Sequence, residues 1–210
     1  MSDVRAQTAA ARRVVAATAF SLTLVTVTSG NAEATTDYTP TGGPGTNFVG
    51  SSVTFTNVEA LQTYSCSRLD AAGQVAAPGT SRAFNSEAVD LGALTDNCTH
   101  PVFGLVDFDV DPDWGLSITG SPSGTSWPTR LDQVDMTLSA VNCDQAFEGS
   151  VDGTFDIVTQ RFTPITSDLV VTLVVGSSCT TFDFQVGDHM ELNGQLTNIS
   201  PAGSVPLSFS

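Results

Sequence analysis

Hydrophobic and polar residues alternate with a period of two along much of the chain after residue 48. The clearest stretch is 147–157, FEGSVDGTFDI. Phe147, Gly149, Val151, Gly153, Phe155 and Ile157 fall on one side, and Glu148, Ser150, Asp152, Thr154 and Asp156 on the other. This is the period of a half-buried β-strand, bent where glycine interrupts it. DQVDMTLSA (132–140) repeats it with Val134, Met136, Leu138 and Ala140 on one face. DLVVTLVVG (168–176) is a continuous apolar run and predicts a central strand covered on both faces. FDFQVGDHMELNGQL (182–196) predicts strands on either side of a hairpin turn at Gly187-Asp188. Shorter candidates lie at 52–58, 61–67, 73–77, 101–110 and 114–119. No 3.6-residue period is sustained beyond the N-terminal region. About nine or ten strands are therefore expected in one all-β domain. An antiparallel β-sandwich is the expected architecture, with a small β-barrel as the alternative.

VDFDVDPDW (106–114) places Asp107, Asp109, Asp111 and Asp113 at every second position. A calcium loop needs glycine at position 6 and glutamate at position 12. Counted from Asp107 those positions hold Pro112 and Ile118; counted from Asp109 they hold Trp114 and Gly120. Both registers fail. The intervening Val106, Phe108 and Val110 suit a strand with an acidic outer face, and Trp114 continues the apolar side as a core residue. Same-face residues on a strand stand about 6.6 Å apart, so one ion cannot take all four carboxylates. Asp111 and Asp113, on either side of Pro112, are the pair that could share an ion.

The first 34 residues follow a different pattern. Arg5, Arg12 and Arg13 precede a mostly apolar run from Val14 to Val27, and Ala32-Glu33-Ala34 offers a small-x-small cleavage site. Basic, apolar and cleavable segments in that order predict a secretory signal peptide at 1–34. The apolar run is shorter than the roughly 20 residues a membrane helix needs, and no transmembrane helix is expected in the mature chain. Residues 35–46, TTDYTPTGGPGT, are expected to be a flexible leader, and 47–210 a single all-β domain.

Charge narrows the partners. The chain has 7 basic and 22 acidic residues, net −15, and none of the basic residues is lysine. Removing Arg5, Arg12, Arg13, Asp3 and Glu33 with the signal leaves 4 basic against 20 acidic residues, net −16. Such a surface repels phosphate backbones, so no nucleic-acid partner is expected. An extracellular or cell-wall ligand is the expected partner class. The sequence specifies neither its identity nor the oligomeric state.

Four cysteines, Cys66, Cys98, Cys143 and Cys179, are an even count in a chain read as exported, which predicts two disulfides. Three pairings are possible. Cys66–Cys98 with Cys143–Cys179 is favoured because each bond would staple one half of the chain. Zinc is the rival ligand, but no pair has the close C-x2-C spacing. The order of features also resembles a known group. Cys66 follows the first strands, and Cys98 precedes a tryptophan-containing strand, Trp114-Gly115-Leu116. Cys143 is followed by F-x-G-x-V-x-G-x-F at 147–155, and Cys179 precedes the Gly-Asp step. Over about 50–200 this is similar to the small secreted β-proteins found in many actinobacterial genomes. It departs from them where Leu192 and Leu196 replace a common aromatic. The resemblance implies a secreted all-β domain with two disulfides, and it supplies no catalytic residues.

Candidate chemistry is sparse. His100 and His189 are the two histidines, both expected at the surface in turns. A Ser-His-Asp site would need one of them as base, yet GSPSG (120–124) is not the G-x-S-x-G elbow. The glutamates Glu59, Glu87, Glu148 and Glu191 show no pairing in sequence. Trp127, in SGTSWPT, is expected in a loop and is the candidate for stacking on a glycan. No catalytic residue and no cofactor is assigned. The expected function is that of a secreted, disulfide-stabilised, acidic β-domain at or outside the cell envelope, binding or structural rather than enzymatic. The alternatives are a secreted hydrolase with an unrecognised site and an envelope-associated β-barrel pore.

Overall fold

The structure, a computed structural model, describes residues 36–110 and 114–210. The expected signal peptide, and both Asp111 and Asp113, lie outside the described residues. In chain order the strands are β1 (Asp37–Tyr38), β2 (Pro40–Gly43), β3 (Gly45–Gly50), β4 (Val53–Asn57), β5 (Gln62–Val75), β6 (Arg82–Ala83), β7 (Glu87–His100), β8 (Gly104–Val110) and β9 (Trp114–Ile118). There follow β10 (Ser126–Ala140), β11 (Cys143–Asp156), β12 (Arg161–Ser167), β13 (Leu169–Val175), the short helix α1 (Ser177–Thr181), β14 (His189–Asn193), β15 (Leu196–Asn198) and β16 (Val205–Phe209).

Four long strands, β5, β7, β10 and β11, carry the fold. Their free edges are completed by pairs of short strands laid end to end. β4 and β3 share one edge of β5, β8 and β9 bridge β7 to β10, and β13 and β12 share one edge of β11. β13 then pairs with β14, which pairs with β4. β12 pairs with β15, which pairs with β3. The antiparallel hydrogen bonding therefore returns to β5 after eight strand positions. The fold is all-β and antiparallel, as expected, and its layers are joined along both sides, which unites the sandwich with the closure of a barrel.

The core lies between these layers. Phe55 of β4 meets Phe108 of β8 at 5.1 Å and Phe147 of β11 at 5.9 Å, between ring centroids. The 147–157 alternation is realised, with Phe147, Val151 and Phe155 buried. At one end Tyr38, Phe84, Trp127 and Phe209 close the interior through ring contacts of 5.6–6.3 Å. At the other, Tyr64, His100, Phe103, Phe182 and Phe184 do the same. Both disulfides form as favoured. Cys66 and Cys98 are direct cross-strand partners, and Cys143–Cys179 ties the start of β11 to α1.

Several local expectations are corrected. Residues 37–46 are not a flexible leader: they form β1, β2 and the start of β3, and Tyr38 is buried. The glycines there permit close approach, since a Cβ on Gly42 would stand 2.2 Å from the Pro206 carbonyl oxygen. The segments 61–67 and 73–77 merge into β5, with a register shift between Ala72 and Gln74. β13 is not covered on both faces: Leu169 and Val171 are buried, but Leu173 and Val175 are exposed. The chain before Gly187-Asp188 forms α1 and a turn, so no hairpin forms there. The candidates at 101–110 and 114–119 are realised as β8 and β9, on either side of residues outside the description, and Trp114 is in the core as expected.

Candidate functional site

The two histidines occupy different surroundings. His100 is buried, not at the surface. Its Nδ1 accepts from the Val102 and Phe103 N–H groups at 3.3 Å, and its Nε2 lies 3.1 Å from the Gln62 Oε1. The backbone donors leave Nδ1 as acceptor and Nε2–H as donor, and burial pushes the imidazole's pKa down. His189 is exposed, as expected. The Glu59 carboxylate accepts its backbone N–H at 2.7 Å and pairs with its Nδ1 at 2.8 Å. The bond to the His189 side chain, then that to its backbone, holds the Glu59 carboxyl below the usual range. Among the described residues no serine hydroxyl bonds either ring.

Trp127 is not a loop residue. It lies on β10 with Thr129 and Leu131 on the same inward side, 6% exposed and edge-on to Phe209, so it presents no stacking face. The period-two run through Trp127, Thr129 and Leu131 is the sequence signal that places it. Asp107 and Asp109 are exposed on β8, while Val106 and Phe108 are buried, as the alternation requires.

The structure gathers polar groups at a place the sequence does not mark. β9 runs between β7 and β10. Its Trp114, Leu116 and Ile118 enter the core, leaving Gly115 and Ser117 on the outer face. Register places Glu87, Ser117, Arg130, Asp152 and Thr166 side by side across five strands. One step along, Gly115 has Asp90 on one flank and Asp132 on the other. The missing Gly115 side chain makes room for that of Glu87, because a Cβ there would stand 2.9 Å from the Glu87 Oε2. Bulges aim the rim: the β7 register shifts between Glu87 and Val89, and the β10 register shifts between Leu131 and Val134. Gln133 sits in that second bulge at φ 56°.

The result is a cleft of about 370 Å³ lined by Asn85, Glu87, Ser117, Arg130, Asp132 and Gln133, among others. Burial, followed by the Asp90 charge, pushes the Glu87 carboxyl above the ordinary glutamate range; Arg82 opposes this and Asp132 adds to it. Both nearby guanidiniums form hydrogen bonds, and the Arg82 Nε is buried without one. Arg82 donates to the Glu87 carbonyl oxygen. Arg130 forks onto Asp152, with Nε to Oδ1 at 2.8 Å and Nη2 to Oδ2 at 3.3 Å. Behind the cleft the Tyr38 hydroxyl donates to the Ser86 carbonyl, and burial drives that phenol up to about 12. Among the described residues no three histidine, cysteine or carboxylate groups are placed to hold a metal ion.

No protein-family model, curated protein or solved structure matches the chain.

Proposed function

We propose that the protein is an exported β-domain that acts outside the cytoplasm, at or beyond the cell envelope, by binding a ligand on its outer surface. One observation carries the reading. Among the described residues aromatic side chains pack together at both ends of the interior, and a set of convergent polar groups lies outside, in the Glu87 cleft. Two disulfides support residence in an oxidising compartment. The pore reading fits poorly. Transmembrane strands present an apolar outer band, whereas β11 points Asp144, Glu148, Asp152 and Asp156 outward.

A secreted hydrolase is the second reading, favoured by the cleft itself. A carboxyl of raised pKa near a second carboxyl is the pairing that glycoside cleavage uses, and Glu87 shares its cleft with Asp132. The test is a thermal-shift screen of the oxidised protein against cell-wall and plant glycans, amines and divalent ions, run beside turnover of chromogenic glycosides. A saturable rise in Tm without turnover supports binding. Turnover that Glu87→Gln abolishes overturns it in favour of the hydrolase.

A further inference from the structure

We propose that the Glu87 cleft binds the primary ammonium group of an external ligand. This rests on the binding reading above and names the chemistry of its site. Glu87 and Asp132 line the cleft, and Asp90 flanks Gly115 on β7, where its charge acts on Glu87. None of the three side chains takes part in an ion pair or hydrogen bond with a described residue. The chain has no lysine, Arg130 is forked onto Asp152, and Arg82 donates to the Glu87 carbonyl oxygen rather than to a carboxylate, so no ion pair among the described residues caps these carboxylates.

Ser117 points to a ligand independently. It is 3% exposed, lines the cleft between Glu87 and Arg130, and its hydroxyl bonds to no described residue. A hydroxyl that has no protein partner and opens on a cleft can bond a ligand atom seated there.

Size and shape select the cation. A calcium or magnesium ion needs several oxygens gathered at roughly 2.0–2.6 Å, and among the described residues no three carboxylate, histidine or cysteine groups are placed to hold one. An ammonium donates three diverging hydrogen bonds of roughly 2.7–2.9 Å, which a mixed set of carboxylate and hydroxyl acceptors can receive. A guanidinium favours a single forked partner, whereas here the acceptors come from two strands either side of β9. A quaternary ammonium seeks an aromatic face, and the lining of this cleft has none. The volume suits a small polar body, either an amino sugar or a lysine side chain.

The experiment is amide-resonance mapping of the ¹⁵N-labelled, oxidised protein at pH 7. The probes are glucosamine and Nα-acetyl-lysine amide; glucose and Nα-acetyl-norleucine amide are their neutral counterparts. One or both ammonium probes should shift Glu87, Ser117 and Asp132 saturably, and the neutral counterparts should not. A response to glucosamine alone assigns an amino sugar, and one to the lysine amide alone assigns a lysine-bearing partner. Asp132→Asn and Ser117→Ala should each weaken binding about tenfold, the worth of one hydrogen bond to a charged group. Glu148→Gln, farther along the β11 outer face, should leave binding unchanged. Equal shifts from charged and neutral probes overturn the proposal, as does silence of the cleft with both ammonium probes. If a neutral glycan from the wider screen then moves the same amides, the ammonium assignment falls and the binding reading stands. Glycoside turnover dependent on Glu87 removes both.

Discussion

The carboxylate of Glu87 lies over Gly115, in the space a side chain there would fill. The neighbouring atom is the mobile end of a side chain, so Gly115→Ala is expected to displace Glu87 without unfolding the protein. Stability should change by less than about 1 kcal/mol. Glu87 should lose its burial, and its carboxyl should titrate closer to the ordinary value of 4.5. Carboxyl-carbon NMR across pH 3–8 reads this directly; an unchanged Glu87 titration would show that Gly115 does not create its environment.

Glu87 also makes stability depend on pH. Its folded-state carboxyl titrates above 4.5, so the folded chain holds the proton more tightly than the unfolded one. The associated stability is present in full below 4.5 and is lost as pH rises through the folded value. Asp90 and Asp132 oppose the ionised form, and Arg82 favours it. Glu87→Gln should therefore exceed the parent in stability at pH 7 by about 0.5 kcal/mol, the scale of a screened like-charge contact on a sheet. At pH 4 the gap should close. Urea midpoints at the two pH values decide it, and a constant gap would refute the linkage.

Inside the disulfide end, Gln145 donates its Nε2–H to the Tyr64 hydroxyl at 2.7 Å, and its own Oε1 is buried without a partner. Tyr64→Phe leaves the amide only its weak bond to the Cys143 Sγ at 3.5 Å and should cost about 1–3 kcal/mol. Adding Gln145→Leu should recover most of that loss. A double-mutant cycle in urea should give a coupling of about 1 kcal/mol, and strict additivity would mean that the bond contributes nothing.

The two disulfides close loops with sequence separations of 32 and 36. Each should contribute about 4 kcal/mol by restricting the unfolded chain, but their local effects should differ. Cys66 and Cys98 sit on strands that pair on both sides of them, whereas Cys179 is the buried residue of a single-turn helix. Replacing Cys143 and Cys179 with alanine should abolish hydrogen-exchange protection around 177–184. Replacing Cys66 and Cys98 should lower global stability and leave that segment protected.

Much of the fold is legible along the chain because burial on one side of a sheet imposes period two. Phe147 to Phe155, Val134 to Leu138, and Val106 with Phe108 all read correctly for that reason. β7 escaped notice because Ala88, Gly92 and Ala93 weaken its alternation and a register shift follows Glu87. SGTSWPT reads as a loop because small and turn-forming residues crowd it, yet Trp127 lies on β10. Glycine and proline at 40–45 resemble a linker, but the same residues allow strands to approach closely.

By itself the sequence determined an antiparallel, disulfide-stabilised β-domain with an acidic exterior, since alternation, cysteine count and charge are properties of the chain. Only the tertiary structure decided that the sheet closes on itself and that Glu87, Asp90, Gly115, Ser117 and Asp132 meet. Those residues come from three strands, and their meeting depends on inter-strand register and bulges. Both are set by packing between segments distant in the chain, which no local pattern encodes.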